Sequence, residues 1–219
     1  MLLSDADLIR LQLRAGFVLD RHGRLLAVNE PNRPPAPRVA IAIARGERVI
    51  RVRHDVPEHV ARRWLACTDD HELLGRVAAH REVAAEHRGP AFVLPPTGEP
   101  GERVVEPGAP GAPPLHPGLV ARGWGLSEAR PYAGVVRDGY IVAVCYSSRD
   151  GVEACEAGVE TASEYRGRGH ATVAVRAWAA AVQRSGRVAL YSTTWENEAS
   201  RRVAARLGAE QYAELWRLT

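Results

Sequence analysis

EYRGRGHATVAV, residues 164–175, is the stretch on which the reading of this chain turns. Gly167 and Gly169 stand among Arg166, Arg168 and His170, immediately before an apolar run with helical spacing. Such a segment cradles a phosphate, touches nucleic acid or turns a corner. A Walker loop needs G-x-x-x-x-G-K-[S/T], and all 29 Lys and Arg residues of this chain are arginine. A dinucleotide fingerprint needs Gly or Ala where Thr172 stands, and an acid about 20 residues further on that is missing here. What remains is a strand, a glycine-rich turn and a helix whose first amides point outward. Without Cβ atoms at 167 and 169, the N–H groups of residues 167 to 171 can surround an anion such as a pyrophosphate, and the helix dipole favours its charge. The competing reading is a tight turn in which the glycines serve conformation and the arginines serve solubility.

Outward from this loop the pattern is regular. Upstream, PYAGVVRDGYIVAVCYSS (131–148) reads as a hairpin turning at Asp138-Gly139, and VEACEAGVET (152–161) as a third strand. Downstream come a helix through Ala181, a strand over 187–193, a helix over 196–207 stopped by Gly208, and a last strand over 209–218. The order β-β-β-α-β-α-β predicts an α/β (α+β) fold built mainly on one sheet. Residues 1–94 read as an N-terminal α+β region. It opens with an amphipathic helix and continues with hairpins over 16–28 and 38–54, a helix after Pro57, and a helix over 69–87 ended by Gly89-Pro90. Residues 95–118 are dense in Pro and Gly and read as a linker or long surface loop, which leaves 119–219 as the core.

Composition narrows the class. The chain has 219 residues, 46% of them hydrophobic and 25% charged, and no apolar run approaches the ~20 residues of a membrane helix. The first helix mixes Asp5, Asp7, Arg10 and Arg14 into its apolar positions, unlike a secretory signal. Cys67, Cys145 and Cys155 are unpaired by spacing, so buried, reduced thiols and a cytoplasmic location are expected. The eight histidines form no metal motif, and no metal is expected. The formal charge of +3 is spread among interleaved acids without a basic stripe, which argues against nucleic acid as a partner.

Arg166-Gly167-Arg168-Gly169-His170-Ala171, following Glu164-Tyr165, resembles the pyrophosphate loop R/Q-x-x-G-x-G/A of the GNAT superfamily of acyl-CoA-dependent N-acetyltransferases. NEASRRVAARLGA (197–209) is similar to that family's second signature, in which an Asn opens a helix closed by Leu-Gly. The resemblance spans about residues 119–219, and it implies that residues 1–94 either supply the first strand and two helices of the core in altered form or form an annex that shapes the acceptor pocket. It implies a mixed, mostly antiparallel central sheet flanked by helices, with acetyl-CoA as co-substrate and a primary amine of a small molecule or peptide as acceptor. It also implies direct attack on the thioester in a ternary complex, and it leaves room for a homodimer.

In the family the strands before and after the loop, here 153–161 and 187–193, splay so that the pantetheine arm lies between them. A main-chain N–H at a bulge, placed here near Val159 to Thr161, would polarise the acetyl carbonyl. The attacking ammonium must lose a proton, for which Glu156 is the first candidate base and Glu160 the second. Each also reads as an ordinary strand residue. The family's usual tyrosine acid falls on Ala204, a departure; Ser200 is the candidate donor to the leaving thiolate, with Tyr191 more remote. Asn197 caps its helix beside the cofactor, and Arg168, Arg201 and Arg202 are candidate phosphate partners. Trp64, Trp124 and Trp195 could line an acceptor pocket or simply fill the core. The missing tyrosine keeps a non-catalytic acyl-CoA sensor as the alternative, and an arginine-rich nucleic-acid binder ranks last.

Overall fold

The computed structural model describes residues 3–98, 104–123 and 131–219. Trp124 lies outside the described residues. The chain runs α1 (Asp5–Gly16), β1 (Phe17–Leu19), β2 (Leu25–Val28), β3 (Val39–Ala44), β4 (Glu47–Val52), α2 (Glu58–Leu65), α3 (Asp70–His80) and β5 (Glu86–Val93). It continues through β6 (Val104–Val105), α4 (Pro117–Val120), β7 (Tyr132–Arg137), β8 (Tyr140–Asp150), β9 (Ala154–Thr161), α5 (His170–Arg184), β10 (Val188–Ser192), α6 (Glu198–Arg206) and β11 (Glu210–Leu218). β1 and β2 form a small ladder of their own; the other nine strands make one sheet in the order β4-β3-β11-β5-β10-β9-β8-β7-β6. Every neighbouring pair in it is antiparallel except β9 and β10. The expected mixed, mostly antiparallel sheet flanked by helices is the fold observed.

Side-chain alternation along the strands divides the core. Cys155, Ala157, Ala189 and Tyr191 face α5 and α6, where Trp178 and Ala204 are fully buried. Ala154, Leu190, Ala91 and Ala213 face the opposite side, covered by Leu8, Ile9 and Leu13 of α1. Each such aliphatic side chain contributes roughly 1.5–3 kcal/mol on burial. α1 starts firmly because Ser4 Oγ accepts from Asp7 N while the Asp7 carboxylate accepts from Ser4 N, a reciprocal cap. The hairpin of β7 and β8 turns on Asp138 and Gly139, with φ of 50° and 77°, as the Asp-Gly pair predicts.

One element differs from the sequence expectation. The helix expected over 69–87 stops at His80, where Arg81 is extended, and residues 86–93 become β5 in the middle of the sheet, between β11 and β10. Gly89-Pro90 therefore lies inside a strand. A Cβ on Gly89 would sit 2.1 Å from the Thr193 carbonyl oxygen, so glycine is required by close backbone approach and not by a helix end. Pro90 occupies the point just beyond the last β10 partner, Ala91 opposite Ser192, and its carbonyl accepts from Thr193 N. Tertiary pairing has overridden the helical periodicity of the segment.

Three strands from residues 1–94, β3, β4 and β5, thus share the sheet with those of 119–219. In the Pro/Gly-rich segment, β6 pairs with β7 at the sheet edge, and Gln183 of α5 holds the start of the segment through Thr97 N, Leu94 O and Pro95 O. Cys67, Cys145 and Cys155 are free and buried. Among the described residues no helix is long and apolar enough to cross a membrane, and no group of three His, Cys, Asp or Glu could hold a metal.

Candidate active site

The site is built on the one parallel pair. β9 and β10 are in register at Val188 opposite Ala154, Ala189 opposite Cys155 and Leu190 opposite Glu156, and there the pairing ends. Beyond Glu156 the strands part. The direction of the backbone groups follows from alternation: Glu153 O accepts from Val188 N on the β10 side, whereas Ala162 N donates to Val142 O on the β8 side. The amides of Val159 and Thr161 therefore face the gap. The expected bulge is displaced: the register of β9 with β8 is continuous over residues 157–161, and the irregularity lies on β8 between Ser147 and Arg149, where Ser148 Oγ donates to Glu156 O. The gap thus opens without a kink in β9 at Val159 to Thr161.

From the gap a groove of about 540 Å³ runs to the N-terminus of α5. Val159, Glu160, Thr161, Arg166, Gly167, Gly169, His170 and Ala171 line one side, and Asn197 and Ser200 of α6 the other. Gly167 and Gly169 have φ of 74° and 84°, a region costly for any residue with a Cβ, and Gly169 is the N-cap of α5 without a side-chain cap. The first amide of the helix to find a backbone acceptor across its start is Val173 N, on Gly169 O. The amides of residues 170 to 172 are thus left as donors, and Thr172 Oγ1 is buried without a partner. Such a cradle fits a phosphorylated ligand. Desolvation first, then Arg137 and Arg168, lowers the His170 pKa, so this group at the helix start is a neutral imidazole at pH 7. Arg206 and Arg202 also line the groove, whereas Arg168 lies over the Tyr165 ring and Arg201 over that of Trp195. Arg206 has no motif to mark it in the sequence.

On the groove side, Tyr191 Oη and Ser200 Oγ are 2.6 Å apart. Burial pushes the Tyr191 phenol up to about 12, so it is protonated throughout the neutral range. Asn197 Oδ1 accepts from Ser200 N and caps α6. Ala204, which stands where the family's tyrosine is usual, is packed in the core against α5.

The opposite face of the gap is different. Glu156 projects toward α1 with its side chain 5% exposed. Its carboxylate accepts from Arg149 Nη1 at 3.0 Å, Ser192 Oγ at 2.5 Å and Gln12 Nε2 at 2.5 Å, while Gln12 Oε1 accepts from Tyr212 Oη. Burial alone would raise this carboxyl; Arg149, then Arg217, Ser192 and Gln12, outweigh it and hold the group below its ordinary value, hence ionised at neutral pH. Arg149 continues to Glu30 at 3.0 Å. Glu160, on the same strand face, is half-exposed and lies 3.4 Å from Arg122 and 4.0 Å from Arg166. Between them Gly158 is covered by the Tyr146 ring, at 2.5 Å from where its Cβ would be. Glu153 precedes the strand and pairs with Arg14. Trp64 is buried in the core against His80, and Trp195 is exposed and donates to Glu214. Sequence reasoning found Glu156 but missed Gln12, Arg149, Ser192 and Arg217. Arg217 carried a readable signal, a charge alternating with Ala213 and Leu215 on an apolar strand face.

Residues 115–210 match the family described as the acetyltransferase (GNAT) domain. Residues 115–210 thus carry a GNAT acetyltransferase domain, a family that uses acetyl-CoA as co-substrate. Among solved structures, a GNAT-family acetyltransferase from Colwellia psychrerythraea aligns over 99% of this chain and 97% of its own, with TM-score 0.50 and 12% identity. A protein described as a GNAT-family acetyltransferase from Novosphingobium aromaticivorans shows 24% identity and TM-score 0.49 over 62% of this chain; the match spans 65% of that protein, just under two thirds. A GCN5-related N-acetyltransferase-like protein from Streptococcus suis aligns over 84% of this chain and 85% of its own, with 13% identity and TM-score 0.47. No curated protein matches the sequence.

Proposed function

We propose that the protein is an N-acetyltransferase that moves an acetyl group from acetyl-CoA to a primary amine by direct attack in a ternary complex. The observation that carries this reading is the gap between β9 and β10, which joins an uncapped helix start on one face to a buried, ionised carboxylate on the other. The diphosphate of CoA would lie on the amides of residues 170 to 172, and the pantetheine arm along Val159 to Thr161, whose inward amides act on the oxyanion that develops as the thioester carbonyl is attacked. Residues 1–94 would contribute the wall of the acceptor side through α1 and β3.

Glu156 is the group that meets the acceptor's amine in this reading, and Glu160 is not its equal. Glu156 stands at the apex of the gap, whereas Glu160 lies further along β9, beside two arginines toward the loop. A carboxylate held below its ordinary pKa is a weak acceptor for an ammonium proton, so its first contribution is to bind and orient the cationic acceptor. On the other face Ser200, backed by the protonated phenol of Tyr191, would deliver a proton to the departing CoA thiolate in place of the tyrosine absent at Ala204.

The test is release of free thiol from acetyl-CoA over a panel of amines, with Glu156→Gln beside the native protein. Amine-dependent release that falls in the variant supports the reading. Tight CoA binding without release from any amine, and without an effect of the substitution, establishes the sensor reading instead.

A further inference from the structure

Arg217 is placed where an arginine should not be. It sits on β11 opposite Ala40 of β3 and His87 of β5, and it faces the α1 side of the sheet with Leu215. Its Nε is buried without a hydrogen-bond partner. Buried arginines are satisfied elsewhere in this fold: Arg38 donates to the carbonyls of Arg81, Glu82 and Thr219, and Arg149 spans Glu30 and Glu156. Among the described residues two other buried guanidinium Nε atoms lack partners, but Arg51 donates through Nη1 to Ile50 O, and Arg201 lies over the Trp195 ring. Of the three, Arg217 borders a partly open cavity of about 20 Å³ that Gln12, Arg149, Glu156 and Ser192 also line.

We propose that this cavity receives the anionic end of a carboxylate-bearing amine, with Arg217 as its anchor and Glu156 beside its ammonium, so that the acceptor is a small free amino acid. The inference rests on the acetyltransferase reading above and names its substrate class. Charge decides between acceptors. Arg149 and Arg217 balance Glu30 and Glu156, so the unliganded site is neutral. A bare amine, a lysine side chain or a peptide amino terminus would bring an uncompensated positive charge next to Arg217, and like charges at this range repel strongly in a desolvated site. A zwitterion adds no net charge: its carboxylate meets the unpartnered Nε of Arg217, and its ammonium lies beside Glu156, which Arg149, Ser192 and Gln12 already hold in place. The volume suits one small polar group. Leaving a desolvated N–H donor unpartnered is destabilising, and such local conflicts are characteristic of ligand sites.

The experiment is calorimetric titration of the whole protein, with CoA present, by common amino acids and by their α-amides. An amide keeps the amine and the side chain and loses only the carboxylate charge. At least one amino acid is expected to bind ~10-fold to 100-fold more tightly than its amide, the range set by a charge-assisted contact left unmade. Arg217→Met should bring the pair toward parity while melting at or above the native temperature. The proposal is overturned if no amino acid binds better than its amide, if the preference survives in Arg217→Met, or if a ternary crystal structure shows only an ordered water on Arg217. The comparison of acid with amide uses the native protein, so it stands whether or not the variant folds. Acetylation of uncharged-tail amines without preference for acids would overturn this inference and leave the acetyltransferase reading intact; failure of CoA itself to bind would overturn that reading while the acid and amide titration still reports on the cavity.

Discussion

The two faces of the β9–β10 gap are built from opposite materials. The α5–α6 face offers donors in search of an acceptor, and they belong mostly to the backbone: the amides of residues 170 to 172 and the inward N–H groups of Val159 and Thr161. The α1 face is a network of side chains already satisfied among themselves, Tyr212 to Gln12 to Glu156 to Arg149 to Glu30, with Arg217 the exception. A backbone site recognises what every member of the superfamily must hold and needs only glycines to expose it. A side-chain site recognises what one chain acts on, and residues far apart in sequence must converge to make it.

Breaking the side-chain face should have the largest effect. Glu156→Gln removes the ammonium partner and leaves Arg149 and Arg217 over a neutral amide, so kcat/KM for the acceptor should fall by about 10²–10⁴ while CoA affinity measured by calorimetry is retained. The same carboxyl predicts the pH response. Its folded pKa lies below the 4.5 of an unperturbed glutamate, so its contribution to stability is complete above that value and is lost as pH falls through the lower folded pKa. Between pH 6 and 9, roughly the range where amines still carry a proton, the profile of kcat/KM should rise with deprotonation of the acceptor and show no inflection from Glu156.

Breaking the backbone face should act on the other quantity. Gly169→Val places a β-branched residue at φ of 84° and a side chain in the anion cradle, for which the cost in backbone strain alone is ~1–3 kcal/mol. Weaker CoA binding by about tenfold to 100-fold in calorimetry, with the acid-to-amide preference kept, is the expected result. An equal loss on both faces would deny their independence. Between the two faces, Gly158→Ala pushes a Cβ against the Tyr146 ring and should lower stability by ~1–3 kcal/mol in a denaturant melt, because that ring is fixed by stacking on Tyr132. The smallest effect belongs to the Tyr191–Ser200 pair. Tyr191→Phe and Ser200→Ala should each reduce kcat by about tenfold, and the double variant should lose little more, since the two act as one unit.

The same contrast explains what could be read from the residues alone. The loop at Gly167 and Gly169, the Asp138-Gly139 turn and the cap at Asn197 are local, each set by the conformational demands of a few adjacent residues, and each stands where the sequence puts it. β5 was not legible, because the helical pattern read over 69–87 runs into its first residues, Glu86 and His87, and only pairing with β11 and β10 makes the segment extended. Glu156 was legible as a carboxylate on β9, the strand expected to splay from β10. Its partners were not, since Gln12, Arg149, Ser192 and Arg217 come from four elements and share no spacing.

β11 lies between β3 and β5, both of which leave the ribosome long before it. Until it arrives, the nascent sheet exists as two unfinished halves whose facing rims are unpaired, and such rims invite pairing with a neighbouring polypeptide. A frameshift or stop codon upstream of residue 210 would therefore yield a sticky product prone to clumping, and not merely a less stable one.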